Sequence, residues 1–168
     1  CMSSGKSKRL IEEARRNPPG TIVAVYIPII DSRSLIAGRP TVASRDGDAL
    51  WAKAVESLPD RPDGDFAIVD EAHFFPPGTV ETLVSWRTQG VEIYIAGLER
   101  TSEGRPFGIF PAIVTAADKV VRLTARCACG LPATETIALV EKTREILVGG
   151  DESYRPACLK CWTAWRDK

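Results

Sequence analysis

The sequence predicts an α/β fold in which a mainly parallel sheet carries helices on both faces, with a smaller metal-stapled β-ribbon after it. Three observations carry that prediction. Apolar, β-branched runs alternate with helical patterns over residues 1–125, as they do when crossover helices join parallel strands. One of those runs ends in two carboxylates, Asp70-Glu71, downstream of a Gly5-Lys6-Ser7 sequence. Four of the five cysteines fall late in the chain as two close pairs, Cys127 with Cys129 and Cys158 with Cys161. The change of character after Ala125 divides the chain into an α/β unit over residues 1–125 and a zinc-binding unit over residues 126–168.

Composition narrows the function classes. Lys and Arg total 22, as do Asp and Glu, so no global field favours nucleic acid or an anionic membrane surface. No apolar run is long enough to span a bilayer and nothing resembles a signal peptide. The expected compartment is the cytoplasm, where paired cysteines are metal ligands more often than disulfides. The 168 residues are enough to bury a real core.

Taken in order, residues 6–16 have helical spacing, with Leu10, Ile11 and Ala14 on one side, and Asn17-Pro18-Pro19-Gly20 stops them. Residues 21–27 are a continuous β-branched run, suited to a strand buried on both faces. A polar loop follows, carrying Asp31-Ser32-Arg33 and later Ser44-Arg45-Asp46-Gly47. It is either solvated or, just past a strand's carboxyl end, a ligand loop. Residues 49–58 read as a short helix closed by Pro59. Residues 66–71 are a strand, 79–88 a helix and 91–97 another strand after Gly90. Residues 108–117 are helical, starting near Pro111, and 120–124 form a further strand. Beyond them, strand-like runs at 135–140 and 145–148 lie between the cysteine pairs.

The chemistry starts at the first residues. Met2-Ser3-Ser4-Gly5-Lys6-Ser7 reads as most of a phosphate-binding loop, G-x-x-x-x-G-K-[ST]. In such a loop backbone N–H groups wrap the phosphates, the lysine reaches the β- and γ-phosphates, and the hydroxyl ligands Mg²⁺. The helix behind it aims its N-terminal dipole at the same anion. The alternative for so short a motif is a flexible tail. The pattern's first glycine falls one position before Cys1, so upstream residues and a strand feeding the loop are expected. Asp70-Glu71 supplies the partner: an apolar strand ending in Asp holds Mg²⁺ beside a phosphate loop, and the adjacent Glu can polarise a hydroxyl. The bland reading is an acidic strand end that caps the next turn. The cysteines suit a closed Cys₄ zinc site, although Cys127-Ala128-Cys129 is one residue tighter than usual. Inert thiols, or three cysteines with another ligand, remain alternatives. His73, the only histidine, can touch nucleotide or merely pack.

These motifs, taken together and in this order, resemble the type II thymidine kinases. The resemblance rests on residues 2–7, Asp31-Ser32-Arg33, Ser44-Arg45-Asp46-Gly47, Asp70-Glu71-Ala72-His73-Phe74-Phe75, Ala96-Gly97-Leu98, Pro106-Phe107-Gly108, Leu123-Thr124-Ala125, residues 148–154 and Cys158-Leu159-Lys160-Cys161. It implies a RecA-like P-loop domain with a zinc-stapled lasso, and a commonly tetrameric enzyme that moves the γ-phosphoryl of ATP to the 5′-hydroxyl of thymidine. It implies Glu71 as the general base, and Ser7 and Asp70 as magnesium ligands. Met2, Ser3, Ser4, Gly5, Lys6, Ser7, Asp31, Arg33, Asp70 and His73 would serve ATP. Phe74, Leu98, Phe107, Thr136, Leu147 and Tyr154 would build the nucleoside pocket.

The departures cluster around the nucleoside. His73 stands where the family usually has Gln, Ser102 where a Phe lines the base pocket, and Glu103 where bacterial members often carry Arg. Ile137-Ala138 replaces a lasso strand with Arg at its second position. A missing aromatic wall forfeits base-packing area, so another or modified pyrimidine deoxynucleoside is an alternative acceptor. A non-catalytic nucleotide-binding protein on the same fold is the alternative from another class.

Overall fold

The structure, a computed structural model, describes residues 1–31, 35–140 and 149–167. In chain order its elements are α1 (Lys6–Arg15), β1 (Val23–Pro28), β2 (Leu35–Ile36), β3 (Arg39–Ala43), β4 (Ala49–Trp51), β5 (Lys53–Val55), β6 (Phe66–Val69), α2 (Thr79–Thr88), β7 (Glu92–Ile95), α3 (Phe110–Ala116), β8 (Ala125–Arg126), β9 (Pro132–Ala133), β10 (Glu135–Ala138), β11 (Tyr154–Ala157) and α4 (Leu159–Arg166). Among the described residues the main sheet has the order β5-β1-β6-β7. All three pairings are parallel, with Tyr26 opposite both Lys53 and Val69, and Val69 opposite Ile95.

Helices cover both faces because strand side chains alternate. Ala24, Tyr26, Ala67 and Val69 point to one face and pack against Leu83 and Trp86 of α2 and Phe110 and Ile113 of α3. Val25, Ile27, Phe66 and Ile68 point to the other and meet Leu10, Ile11 and Ala14 of α1, with Val42 of β3. The central strands are therefore apolar at every position, which is why they read as continuous runs rather than as alternating ones. A third cluster joins Cys127, Ala133, Ile137, Ala157, Cys158 and Trp162 around the late cysteines. Among the described residues no helix is long and apolar enough to cross a membrane.

Three sequence expectations are corrected. Residues 49–58 are not a helix: β4 pairs antiparallel with β3 and β5 pairs parallel with β1. Leu50, Ala52 and Ala54 pack against the α1-side core while Trp51 is 58% exposed, so the operative period was two, and alanine's helix propensity gave way to sheet pairing. The polar loop after β1 contains a hairpin, β2 with β3, turned at Ala37-Gly38 where both residues have positive φ (49° and 75°). Residues 120–124 form no strand. A groove of about 620 Å³ lies between them and β7, and with Val120 and Val121 exposed they gain no ladder partner. Among the described residues β10 pairs antiparallel with β11, Glu135 opposite Ala157 and Ala138 opposite Tyr154. The run expected at 145–148 lies outside the described residues.

Candidate active site

The phosphate-loop residues wrap the start of α1. Gly5 caps that helix in the left-handed region (φ 84°) and Ser3 also has positive φ (57°), so the backbone turns tightly before the first helical amides. Lys6 Nζ donates to the Cys1 carbonyl at 3.4 Å. Ser7 Oγ donates to Asp70 Oδ2 at 2.8 Å, joining the loop to the end of β6. The other Asp70 oxygen accepts the Glu71 amide at 2.8 Å. Burial pushes the Asp70 carboxyl above its ordinary value. The Lys6 charge, the Ser7 hydroxyl and the Glu71 N–H pull it back, and nearby Asp31 adds to the push. Asp31 is itself buried and is not part of the cleft wall.

Directly after Asp70 the chain reverses. Glu71 adopts the left-handed conformation (φ 50°, ψ 38°) ahead of a 3₁₀ turn at Ala72–Phe74. That conformation costs a non-glycine residue on the order of 1 kcal/mol and marks a place where side-chain direction matters. Its effect is to separate two neighbouring carboxylates: Asp70 is buried under Ser7, while Glu71 lines a cleft of about 410 Å³. The loop of residues 2–7 lines that cleft, and so do Phe74, Leu98, Ser102, Phe107, Thr136 and Tyr154. Glu71 and His73 line the same cleft.

Thirteen of the residues singled out in the sequence thus share one cleft: Met2, Ser3, Ser4, Gly5, Lys6, Ser7, Glu71, His73, Phe74, Leu98, Phe107, Thr136 and Tyr154. Arg33 and Leu147 lie outside the described residues. Thr136 Oγ1 also accepts the Met2 amide at 3.3 Å, tying β10 to the phosphate loop. No role was assigned from sequence to Arg45, Arg100 or Asp151, which also line the cleft. Arg45 pairs with Asp151, and Ser3 Oγ donates to the same carboxylate at 3.0 Å, so the β3–β4 turn, the phosphate loop and the approach to β11 meet there. The hydrophilic motif Ser44-Arg45-Asp46-Gly47 was the available signal; its partner is 106 residues away in sequence.

The wall is set by close backbone approach. Gly108 has φ 51°, and a Cβ there would stand 2.1 Å from the His73 carbonyl oxygen. Gly108→Ala is expected to destabilise the protein by about 2 kcal/mol or more, from the left-handed penalty plus displacement of the 3₁₀ turn. Urea unfolding measures it, and an unchanged midpoint would contradict this packing.

The cysteines form a second centre. The thiol sulfurs of Cys127, Cys129, Cys158 and Cys161 all lie within 4.8 Å of one another, with Cys129 and Cys158 at 3.6 Å. A tetrahedral zinc with Zn–S near 2.3 Å needs sulfurs roughly 3.8 Å apart, so the four can hold one ion. The short Cys127–Cys129 spacing works because both sit in the turn between β8 and β9, closed by Cys127 N–H to Leu131 O and Gly130 N–H to Cys127 O, each 2.9 Å. Backbone N–H groups of Cys129 and Cys158 draw Cys127 down to about 6, while the facing thiols, Cys158 first, push Cys161 up to about 12. Thiols so placed compete for one negative charge until a cation joins them. The centre reaches the cleft through α4: Trp162 Nε1 donates to the Ser102 carbonyl at 2.7 Å.

A family model described as thymidine kinase matches residues 1–162 of the chain.

Proposed function

The chain belongs to the thymidine kinase family, and on that premise we propose that it transfers the γ-phosphoryl group of ATP to the 5′-hydroxyl of thymidine, giving thymidine monophosphate and ADP. The observation that carries this reading is the place of Glu71. It lines the cleft with its N–H on the Asp70 that Ser7 holds at 2.8 Å, and with its carboxylate 3.5 Å from His73, whose ring packs on Phe74 and Phe107. A phosphoryl donor at one end and a nucleoside at the other leave Glu71 between them, where a general base belongs.

The roles follow from the chemistry. Backbone N–H groups of residues 2–7 and the Lys6 ammonium bind the phosphates and carry the charge that builds on the γ-phosphoryl oxygens. Ser7 and Asp70 offer a hydroxyl and a carboxylate oxygen side by side, a hard-oxygen donor set that fits magnesium. Magnesium held there with ATP would neutralise phosphate charge. Glu71 accepts the 5′-hydroxyl proton as that oxygen bonds to the γ-phosphorus and the bond to ADP breaks. Phe74, Leu98, Phe107, Thr136 and Tyr154 enclose the nucleoside and exclude water, which would otherwise compete as acceptor. The units at 1–125 and 126–168 act in this proposal as nucleotide-binding body and nucleoside cover, the cover stapled by zinc on its four cysteines. A cytoplasmic homotetramer completes the reading by family resemblance.

One observation favours a second reading of the acceptor. Ser102, 4% exposed, takes part in the cleft wall with its carbonyl held by Trp162. A serine there leaves space that an aromatic ring would fill, which suits another or a 5-modified pyrimidine deoxynucleoside. Transfer of labelled γ-phosphate to a panel of thymidine, deoxycytidine, deoxyuridine and 5-substituted deoxyuridines decides between them. Transfer to thymidine is expected. Transfer only to the other members supports the second reading, and ATP binding with no transfer to any member makes the protein a non-catalytic nucleotide binder.

A further inference from the structure

The cleft wall behind Glu71 is built around the one histidine of the chain. Its side chain is 1% exposed, and Nε2 stands 3.5 Å from Glu71 Oε2. The opposite nitrogen, Nδ1, accepts the backbone N–H of Leu98 at 3.2 Å. The ring packs against both Phe74 and Phe107, with centroid separations of 4.1 and 4.3 Å, and those two rings meet each other edge-on at 5.5 Å. Three constraints therefore act on it: two tilted aromatic neighbours confine the ring, and the Leu98 amide fixes which nitrogen carries the proton. With the Nδ1 lone pair occupied by a donor, the ring proton stands on Nε2, the atom that faces the carboxylate.

We propose that His73 is a positioning residue for Glu71, presenting an Nε2–H that holds the carboxylate aimed into the cleft. The inference rests on the reading of Glu71 as the base that takes the acceptor's proton. A glutamate has three side-chain torsions, and a donor on a clamped ring restricts them before the acceptor arrives. At 3.5 Å the contact orients the carboxylate without the strong donation that would drain its basicity, and such contacts tighten when a substrate closes the site. Leu98 and Phe107 lie on adjoining strands of chain, the Phe107 N–H donating to the Glu99 carbonyl at 3.0 Å, so one wall of the cleft holds the imidazole.

The pattern of acceptor on one side and donor on the other is not unique to imidazole. A glutamine amide at this position supplies both, its oxygen for the Leu98 N–H and its NH₂ for Glu71. Leucine fills similar space and supplies neither.

Because the chain has one histidine, ¹⁵N-histidine labelling gives a single pair of ring signals. Nε2 is expected to carry the pyrrole-type, proton-bearing shift and Nδ1 the pyridine-type shift, and Glu71→Ala is expected to move the Nε2 signal. In kinetics, His73→Leu is expected to lower kcat up to about 100-fold, as misplacement of a catalytic group does, with KM for ATP and acceptor little changed. His73→Gln is expected to restore most of that loss. A proton on Nδ1, an Nε2 signal indifferent to Glu71→Ala, wild-type kcat in His73→Leu, or His73→Gln as impaired as His73→Leu would each overturn the proposal. If His73→Leu does not fold, the labelling arm and His73→Gln still decide. A wild-type protein that transfers to no nucleoside removes the kinase reading instead, and the labelling arm alone then judges the contact.

Discussion

Glu71→Gln is expected to lower kcat for nucleoside phosphorylation by about 10²- to 10⁴-fold, the usual worth of a positioned general base, while ATP affinity stays near that of the wild type. The substitution is close to isosteric. The amide oxygen still faces His73 Nε2, and the left-handed backbone at residue 71 is unchanged by it. What disappears is the capacity to take a proton from the acceptor hydroxyl. Asp70 cannot replace it, since both its oxygens are engaged, one by Ser7 and one by the Glu71 amide, and its side chain is buried on the far side of the turn. Single-turnover transfer from labelled ATP isolates the chemical step. A variant with undiminished kcat would show that the acceptor's proton leaves by another route and that Glu71 serves structure alone.

Removing Cys158 and Cys161 together, as serines, is expected to take bound zinc from about one ion per chain to none and to cost acceptor binding far more than ATP binding. Apparent binding energies of structural zinc are on the order of 10 kcal/mol, comparable with the whole stability of a domain of this size. The cluster around the cysteines has little else to hold it: two short hairpins, Ala133, Ile137, Ala157 and Trp162. Through Trp162 it holds the Ser102 carbonyl, and β10 and β11 carry Thr136 and Tyr154 into the cleft. The phosphate end depends chiefly on α1 and β6, packed in the α1-side core, and meets the cysteine unit at its start, through Cys1 on Ala133 and Met2 on Thr136. Elemental analysis with separate titrations of ATP and nucleoside therefore separates the two ends. A metal-free preparation that keeps its fold and its nucleoside KM would overturn the zinc assignment.

The elements that flank the cleft were legible because their signals are local. The helix at residues 79–88 is found with the same bounds, and α1, β6 and β7 fall within a residue or two of expectation. Each is a run whose burial is decided by its own apolar period. Residues 49–58 failed for the converse reason. Ala49, Ala52 and Ala54 suit a helix in isolation, and only the presence of β1 and β3 on either side makes the extended form cheaper. Residues 120–124 failed likewise, since β-branched residues form a strand only where an edge offers partners.

For the candidate site, sequence alone identified residue types and their order. Gly5-Lys6-Ser7, Asp70-Glu71 and the cysteine pairs have meanings set by covalent neighbours and spacing, so a single chain states them. Directions and distances came from the tertiary structure. The left-handed turn at Glu71 sends two adjacent carboxylates to different surroundings, and Arg45 meets Asp151 across more than a hundred residues. His73, ambiguous as a lone histidine, acquires its place from Leu98, Phe74 and Phe107. The tight Cys127–Cys129 pair becomes a fitting half-site through the turn that holds it. The physical division is one of range: torsional preference and periodic burial act within a few residues and are written in the chain. Hydrogen-bond partners, close packing and ligand geometry depend on groups that only the folded sheet and its loops bring within a few ångströms.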